Sequence, residues 1–363
     1  MSKKNRVCWA LVTALVAISL MMVGCAKPKP TPTMEPVTLL FDCSVYSATS
    51  PFGKVMRWFS DEVTKTTDGV ITFKYTYAFS LSKPGEGLDQ VASGVSDLCF
   101  TPVVYYPGAL YLNNCNLAVF GAPNDLMLSW KIWDKLIYEE APALGKEFEK
   151  YGVKLIYFAV DPPQVVESRI PITKLEDFEG KKIAASGYYL PRFFQALGAT
   201  TLPTTVADRG TALQTGMLDG SVLPPNVSFP FKLHEFAPYY LEIGLGAWYC
   251  EAAFINLELF NSFPKDIQKI FVDVGREASR HYVDVMASEL ESEREARKAA
   301  GVTFNSLSDE DMKKWAELVG EPVAECVKRG EETGFPEIGE LMGKYLRLCR
   351  EEGHKFPKEW ALD

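Results

Sequence analysis

The sequence predicts an α/β protein built as two lobes braced by one long helix, and three observations carry that prediction. Short β-rich runs alternate with helical stretches from Val37 onward. A buried-strand signature at Val153-Lys154-Leu155-Ile156-Tyr157-Phe158 restarts the pattern halfway along the chain. After Pro264 the stretch to Ala300 has no proline and only Gly275 as an interruption, enough for a helix of roughly 55 Å, longer than one small domain.

In order, Val37–Phe41 reads as a strand, and Phe52–Lys65 as a helix with an apolar stripe at Val55, Met56, Phe59 and Val63 that stops at Thr67-Asp68-Gly69. Val70–Tyr77 alternates as a strand, Leu88–Ser93 is a short helix ended by Gly94, and Asp97–Phe100 is a strand. Leu126–Lys150 is a further helical stretch. In the second half, Lys174–Ile183 gives a short helix, a turn and a strand. Pro191–Leu197 and Thr211–Thr215 are helical, Asp219–Leu223 is a strand, and Phe254–Asn256 is a strand that returns to the first lobe. The long helix has apolar residues at Ile267, Ile270, Phe271, Val274, Ala278, Tyr282 and Val285, whereas Glu289–Lys298 is charged and is expected to be solvated. Ser308 and Asp311 form a capping box, and the chain stays helical to about Cys349.

The 363 residues are 47% hydrophobic and 23% charged, which supports packed cores and excludes a disordered or collagen-like chain. The net charge of −9 makes nucleic acid a poor partner. Lys3, Lys4 and Arg6 precede an apolar run from Val7 to Val23, the layout of a secretory signal and short for a bilayer span. It ends in Met22-Val23-Gly24-Cys25, which resembles the lipobox of bacterial lipoproteins, with residues 1–24 removed and Cys25 receiving the lipid anchor. Prolines in Lys27–Thr33 make residues 25–36 an extended tether. Six cysteines then remain, Cys43, Cys99, Cys115, Cys250, Cys326 and Cys349. They are open to disulfides or to a role as buried thiols, with metal binding ranked below both.

The stretches Pro171-Ile172, Leu175-Glu176-Asp177-Phe178-Glu179-Gly180-Lys181-Lys182-Ile183, Ala196-Leu197-Gly198-Ala199 and Ala212-Leu213-Gln214-Thr215-Gly216-Met217-Leu218-Asp219-Gly220 resemble, in order and spacing, the solute-binding proteins of TRAP transporters, the DctP-type family. The resemblance implies a two-lobe periplasmic solute-binding fold with a long helix bracing both lobes. Lobe I takes residues 37–157 and about 246–270, lobe II 158–245, the long helix 264–300 and C-terminal helices 301–363. It also implies a non-enzymatic receptor on the periplasmic side of the membrane, without a cofactor or metal, that closes on a small organic solute and docks on TRAP membrane permease subunits. A monomer is expected. Within the motif, turn geometry accounts for Gly216, Asp219 and Gly220.

Two stretches depart from the family pattern: its arginine after Gly-Lys-Lys-Ile is Ala184 here, and its Gln-Glu-Asn after Asp-Gly is Ser221-Val222-Leu223. A small dicarboxylate therefore fits less well than a larger or aromatic organic acid, or a neutral compound, held mainly by rings and amides. The expected ligand-binding residues are Tyr46, Lys83, Tyr105, Gln164, Ser186, Tyr188, Leu223, Asn226 and Trp248. Lys83 is the first choice for a cation facing an anionic solute, with Arg169 and Arg192 after it. Alternatives are a ligand-sensing lipoprotein that presents its closed form to a signalling receptor, or an exported hydrolase or lyase. The enzyme classes begin from a weak position, since GxSxG, HExxH and clustered histidines are absent from the sequence.

Overall fold

The computed structural model describes residues 34–363; the leader, Cys25 and the proline-rich Lys27–Thr33 segment lie outside the described residues. The elements are β1 (Val37–Cys43), α1 (Pro51–Thr66), β2 (Ile71–Tyr77), α2 (Gly87–Ala92), β3 (Leu98–Pro102), α3 (Leu126–Lys135), α4 (Ala143–Glu149), β4 (Val153–Asp161), β5 (Val165–Ser168), β6 (Lys182–Ala184), α5 (Leu190–Gln195), β7 (Thr200–Leu202) and α6 (Val206–Gln214). They continue with β8 (Gly220–Leu223), α7 (Pro225–Ser228), β9 (Tyr239–Glu242), β10 (Trp248–Asn256), α8 (Leu257–Ser262), α9 (Lys265–Ala299), β11 (Thr303–Ser306), α10 (Asp309–Leu318), α11 (Pro322–Glu332) and α12 (Ile338–Glu351).

Two sheets result, ordered β2-β1-β3-β10-β4 and β11-β9-β5-β8-β6-β7. In the first, β1 runs parallel to β2 and β3, while β10 is antiparallel to both β3 and β4. In the second, β6 is parallel to β7 and β8, and β5 is antiparallel to β8 and β9. The chain passes between the sheets from β4 to β5 and again from β9 to β10. The strand predicted at Phe254–Asn256 is the end of β10 and does return to the first sheet.

Local chemistry accounts for the element ends. Ser50 caps α1 by accepting from the Gly53 N–H, with Pro51 in the first turn. Ser308 and Asp311 form the expected capping box at α10. The helical stretch predicted over Leu126–Lys150 is broken: a π turn at Leu136–Glu140 and Pro142 separate α3 from α4. Within the family motif, Asp219 ties turns together, its carboxylate accepting from Arg169 at 2.9 Å and from the Lys182 N–H at 3.0 Å.

The long helix departs from expectation at both of its special positions. Gly275 is more than an interruption: a Cβ there would stand 2.4 Å from the Ile156 carbonyl oxygen, so its absence lets α9 lie directly on β4. One turn on, Ser279 Oγ accepts from the Phe158 N–H at 3.0 Å. The charged end is solvated only in part: Glu291, Glu295 and Lys298 are exposed, whereas Glu293 and Arg297 are buried. The Arg297 guanidinium reaches Glu167 on β5 at 3.1 Å, Glu293 at 3.4 Å, the Pro225 carbonyl and Ser228, which compensates its charge on all sides. One helix is thus fixed to the first sheet by a glycine contact and to the second by an arginine.

The C-terminal helices form a second brace. Trp133 on α3 packs against Tyr345 on α12, and Trp315 on α10 packs against Phe120, Phe178 and Phe194 while its indole N–H donates to the Phe193 carbonyl. All six described cysteines are buried free thiols. No described helix is long and apolar enough to cross a membrane.

Gly275→Ala should lower unfolding stability by roughly 1–3 kcal/mol through overpacking against β4. Gly145→Ala in α4, where a Cβ meets nothing within 4 Å, should instead be neutral or gain up to about 1 kcal/mol. Urea denaturation of both variants measures the two signs, and a stable Gly275→Ala protein would refute the contact.

Candidate functional site

Strand register brings the carboxyl ends of both sheets to the two crossings. Leu223, the last residue of β8, lies opposite Val165, the first of β5, so β8 and its parallel neighbour β6 end where the chain enters the second sheet. On the other side Trp248 pairs with Asp161, and Glu251 pairs with Pro102 at the end of β3. Ligands of open α/β sheets bind in such crevices outside the carboxyl ends of strands.

A β-bulge decides which side chains meet there. Trp248 pairs with Asp161 and Tyr249 with Val160, but Glu251 pairs with Ala159, which leaves Cys250 as an extra residue. Because side chains alternate along a strand, this one-residue shift turns Glu251 to the same face as Asp161 and Trp248. Tyr46, in the loop after β1, donates to Glu251 Oε1 at 2.5 Å. Its ring stacks on Phe52 at 3.9 Å, and Phe52 stacks on Tyr282 of α9 at 5.3 Å. Tyr105, after β3, is 40% exposed at the rim.

Burial dominates the electrostatics. It raises the Asp161 carboxyl to about 7, opposed by the neighbouring Tyr282 hydroxyl. It also holds Glu251 well above the carboxylate range, helped by the charge of Asp161 and opposed by the Tyr46 hydrogen bond. The Tyr105 hydroxyl is pushed up to about 12 by burial and then by Glu251. Several polar atoms here have no hydrogen-bond partner among the described residues: Asp161 Oδ1, Glu251 Oε2, the indole nitrogen of Trp248, and both amide atoms of Asn226. Unpaired buried polar groups are costly, so each of these atoms calls for a partner from water or a bound molecule.

On the second sheet, Arg209 of α6 is buried and carries no carboxylate partner among the described residues. It donates to the Thr204 carbonyl, to Ser221 Oγ at 3.0 Å, to the Val222 carbonyl at 2.8 Å and to Ser186 Oγ at 3.0 Å. Burial alone lowers its pKa to about 10. Its guanidinium therefore sits beside the ends of β6 and β8, next to the small Ala184 that stands opposite Ser221.

The sequence-predicted residues fall into distinct places. Tyr46, Tyr105 and Trp248 stand at the first sheet's end of the junction. Gln164, buried just before β5, and Ser186, Leu223 and Asn226 stand at the second's. Lys83 is exposed in the loop after β2, its backbone N–H donating to Glu86. Tyr188 is exposed and donates to Glu325 of α11 at 2.6 Å, with Arg192 and Arg329 over its ring. Arg192 pairs with Glu325, and Arg169 with Asp219 at the far end of β8.

Asp161, Glu251, Arg209 and Tyr282 are the residues that sequence reading left out. Glu251 had a visible signal, a lone acid inside the apolar run Trp248–Ile255. Arg209 had none, since an arginine in a short amphipathic helix reads as solvated.

The three histidines are apart: His234 stacks on Phe229, His281 on Trp58, and His354 bonds the Gly121 carbonyl. Among the described residues no group of three or more His, Cys, Asp or Glu is set to hold a metal.

Because Asp161 is raised from 3.8 to about 7 in the folded state, the unfolded chain releases this proton first, and the stability contribution falls as pH rises from about 4 to about 7. Asp161→Asn should remove that slope and stabilise the protein at pH 7 by at most about 4 kcal/mol, at about 1.36 kcal/mol per pKa unit. Urea titrations at pH 4 and pH 7 measure it; identical pH dependence in both proteins would contradict a raised Asp161.

Residues 43–329 match the family described as bacterial extracellular solute-binding protein, family 7, with the DctP type. The C4-dicarboxylate-binding periplasmic protein DctP of Rhodobacter capsulatus is 24% identical over 327 residues, 89% of this chain and 96% of that protein. The ectoine-binding periplasmic protein TeaA of Halomonas elongata is 26% identical over 233 residues, 62% of each. Among solved structures, a TRAP solute-binding protein from Rhodoferax ferrireducens, in complex with copurified benzoate, superposes with a TM-score of 0.73 at 21% identity, covering 87% of this chain and 98% of that one. Two sheets meeting at two crossings, a helix braced across both and a match over residues 43–329 lead to one assignment: the chain belongs to family 7 of the bacterial extracellular solute-binding proteins.

Proposed function

We propose that this protein is the extracytoplasmic receptor of a TRAP transporter, capturing a small organic acid between its lobes and delivering it to membrane permease subunits. One observation carries the reading: orphaned polar atoms and aromatic rings gather where the carboxyl ends of both sheets meet. Binding that favours the closed form would drive closure, and the closed surface would then be what the permease recognises. The reading involves no catalytic step, so bound solute should be recovered unchanged.

Family membership leaves the solute open, since the relatives above are named for a C4-dicarboxylate, ectoine and benzoate. The walls favour a larger or aromatic acid. Tyr46, Tyr105 and Trp248 offer ring faces, Gln164, Ser186 and Asn226 offer neutral polar groups, and Leu223 offers an apolar edge. Arg209 takes the anchoring role that Ala184 cannot fill, because its guanidinium already lies at the strand ends with neutral partners that a carboxylate could displace. Lys83 and Tyr188 would belong to the outer rim.

In thermal denaturation, 3-phenylpropionate should stabilise the protein more than succinate does. Arg209→Met should weaken 3-phenylpropionate at least tenfold, with circular dichroism checking the fold, whereas Lys83→Ala should cost less than threefold. A dominant succinate response, or acid binding indifferent to Arg209, would count against this assignment of the walls.

A lipid on Cys25 would hold the receptor at the membrane, with the proline-rich segment as its tether. Cys25→Ser should move the protein from the membrane fraction to the soluble one without changing solute affinity. Retention in the membrane fraction would remove the anchor.

A further inference from the structure

We infer that the solute also carries a protonated nitrogen, seated between Asp161 and Glu251 while its carboxylate faces the second lobe, so that the cleft selects zwitterions over simple acids. The inference rests on the receptor reading and deepens it by naming the solute class.

Geometry supplies the first reason. The bulge at Cys250 exists at the cost of a ladder pairing, and its effect is to put a second carboxyl on the face that already holds Asp161. Two acids on one buried face repel when charged, yet among the described residues no basic side chain acts on either, and each keeps an oxygen without a donor. Elsewhere in this protein buried acids are answered. Glu147 accepts from two backbone N–H groups and Asn113, and Glu167 accepts from Arg297. Glu167 also keeps one oxygen, Oε2, without a donor, but Arg297 meets its charge; at the crossing no basic side chain among the described residues meets either acid.

An independent observation comes from Trp248. It is 4% exposed, stands directly opposite Asp161, and its indole N–H finds no acceptor among the described residues. An acid, a ring face and an unspent donor at one strand pair match a ligand that brings a cation and an acceptor together. Ring faces attract cations. The Tyr46–Phe52–Tyr282 stack flanks the acids, and the Tyr46 hydroxyl fixes one Glu251 oxygen, leaving the other for the solute.

Charge balance then favours a zwitterion. In the empty site the acids can stay protonated. An arriving ammonium would take the place of one of those protons, which leaves to solvent while the pair keeps the other, and an ion pair forms in a medium of low dielectric. A nitrogen-free acid would leave the pair unanswered, the kind of omission that polar sites reject strongly. On the opposite wall Arg209 answers the carboxylate, so each end of the solute meets one uncompensated group.

The test is calorimetric titration of the whole mature chain with three zwitterions and their nitrogen-free twins: phenylalanine with 3-phenylpropionate, glutamate with glutarate, and glycine betaine with 3,3-dimethylbutanoate. At least one zwitterion should bind tenfold or more tightly than its twin, and the preference should fall below threefold in Asp161→Asn or Glu251→Gln. Both amide variants keep the side-chain shape, and thermal denaturation checks that they fold. Twins that bind as well as zwitterions, or a preference surviving in both variants, overturn the inference and leave the receptor reading standing. If none of the six binds, the solute extracted from protein purified under native conditions decides: one without a basic nitrogen overturns the inference. A chain that neither binds the panel nor retains a solute overturns the receptor reading itself.

Discussion

The contact between α9 and β4 is the constraint on which the rest of the structure depends. A helix can approach a strand this closely only where a side chain is missing, and Gly275 supplies the gap over the Ile156 carbonyl. That approach sets Ser279 on the Phe158 N–H and carries Tyr282, two turns further, to the face where Asp161 ends the strand. From there the helix continues into the second lobe, where Arg297 is enclosed by Glu167, Glu293, Pro225 and Ser228. Its two ends are held by different physics. A steric contact sets how closely the helix approaches the first sheet, and a compensated buried charge ties it to the second through directional hydrogen bonds.

Against that frame the junction holds the groups that are least satisfied. Asp161, Glu251, Trp248 and Asn226 keep open valences there, as single groups such as Trp133 and Trp360 do elsewhere, and Arg209 keeps a charge without a counter-charge among the described residues. Such groups cost stability, and the braces of α9 and the C-terminal helices offset that cost from outside the crevice.

Much of this was legible in the sequence, and what was not has identifiable causes. Long periodic elements such as α1 and α9 were visible because their apolar stripes repeat over several turns. The strands β5, β7, β9 and β11 went unread because three or four residues carry too little alternation to distinguish a strand from a loop. The charged end of α9 misled, since a buried arginine depends on Glu167, 130 residues away, and no local pattern records that partner. At the junction the rings were legible by composition. The acids were not, because Glu251 faces Asp161 only through a bulge, and a bulge is a property of pairing between strands rather than of either strand.

The six sulfhydryls have a bearing on where this receptor can be made. Each is enclosed and its ionisation suppressed by burial, so the nucleophilic form that oxidants and exchange catalysts attack is scarce. Folding of the described residues therefore rests on no disulfide, and their enclosed thiols are poor targets for oxidants. The same architecture can mature under air or in its absence.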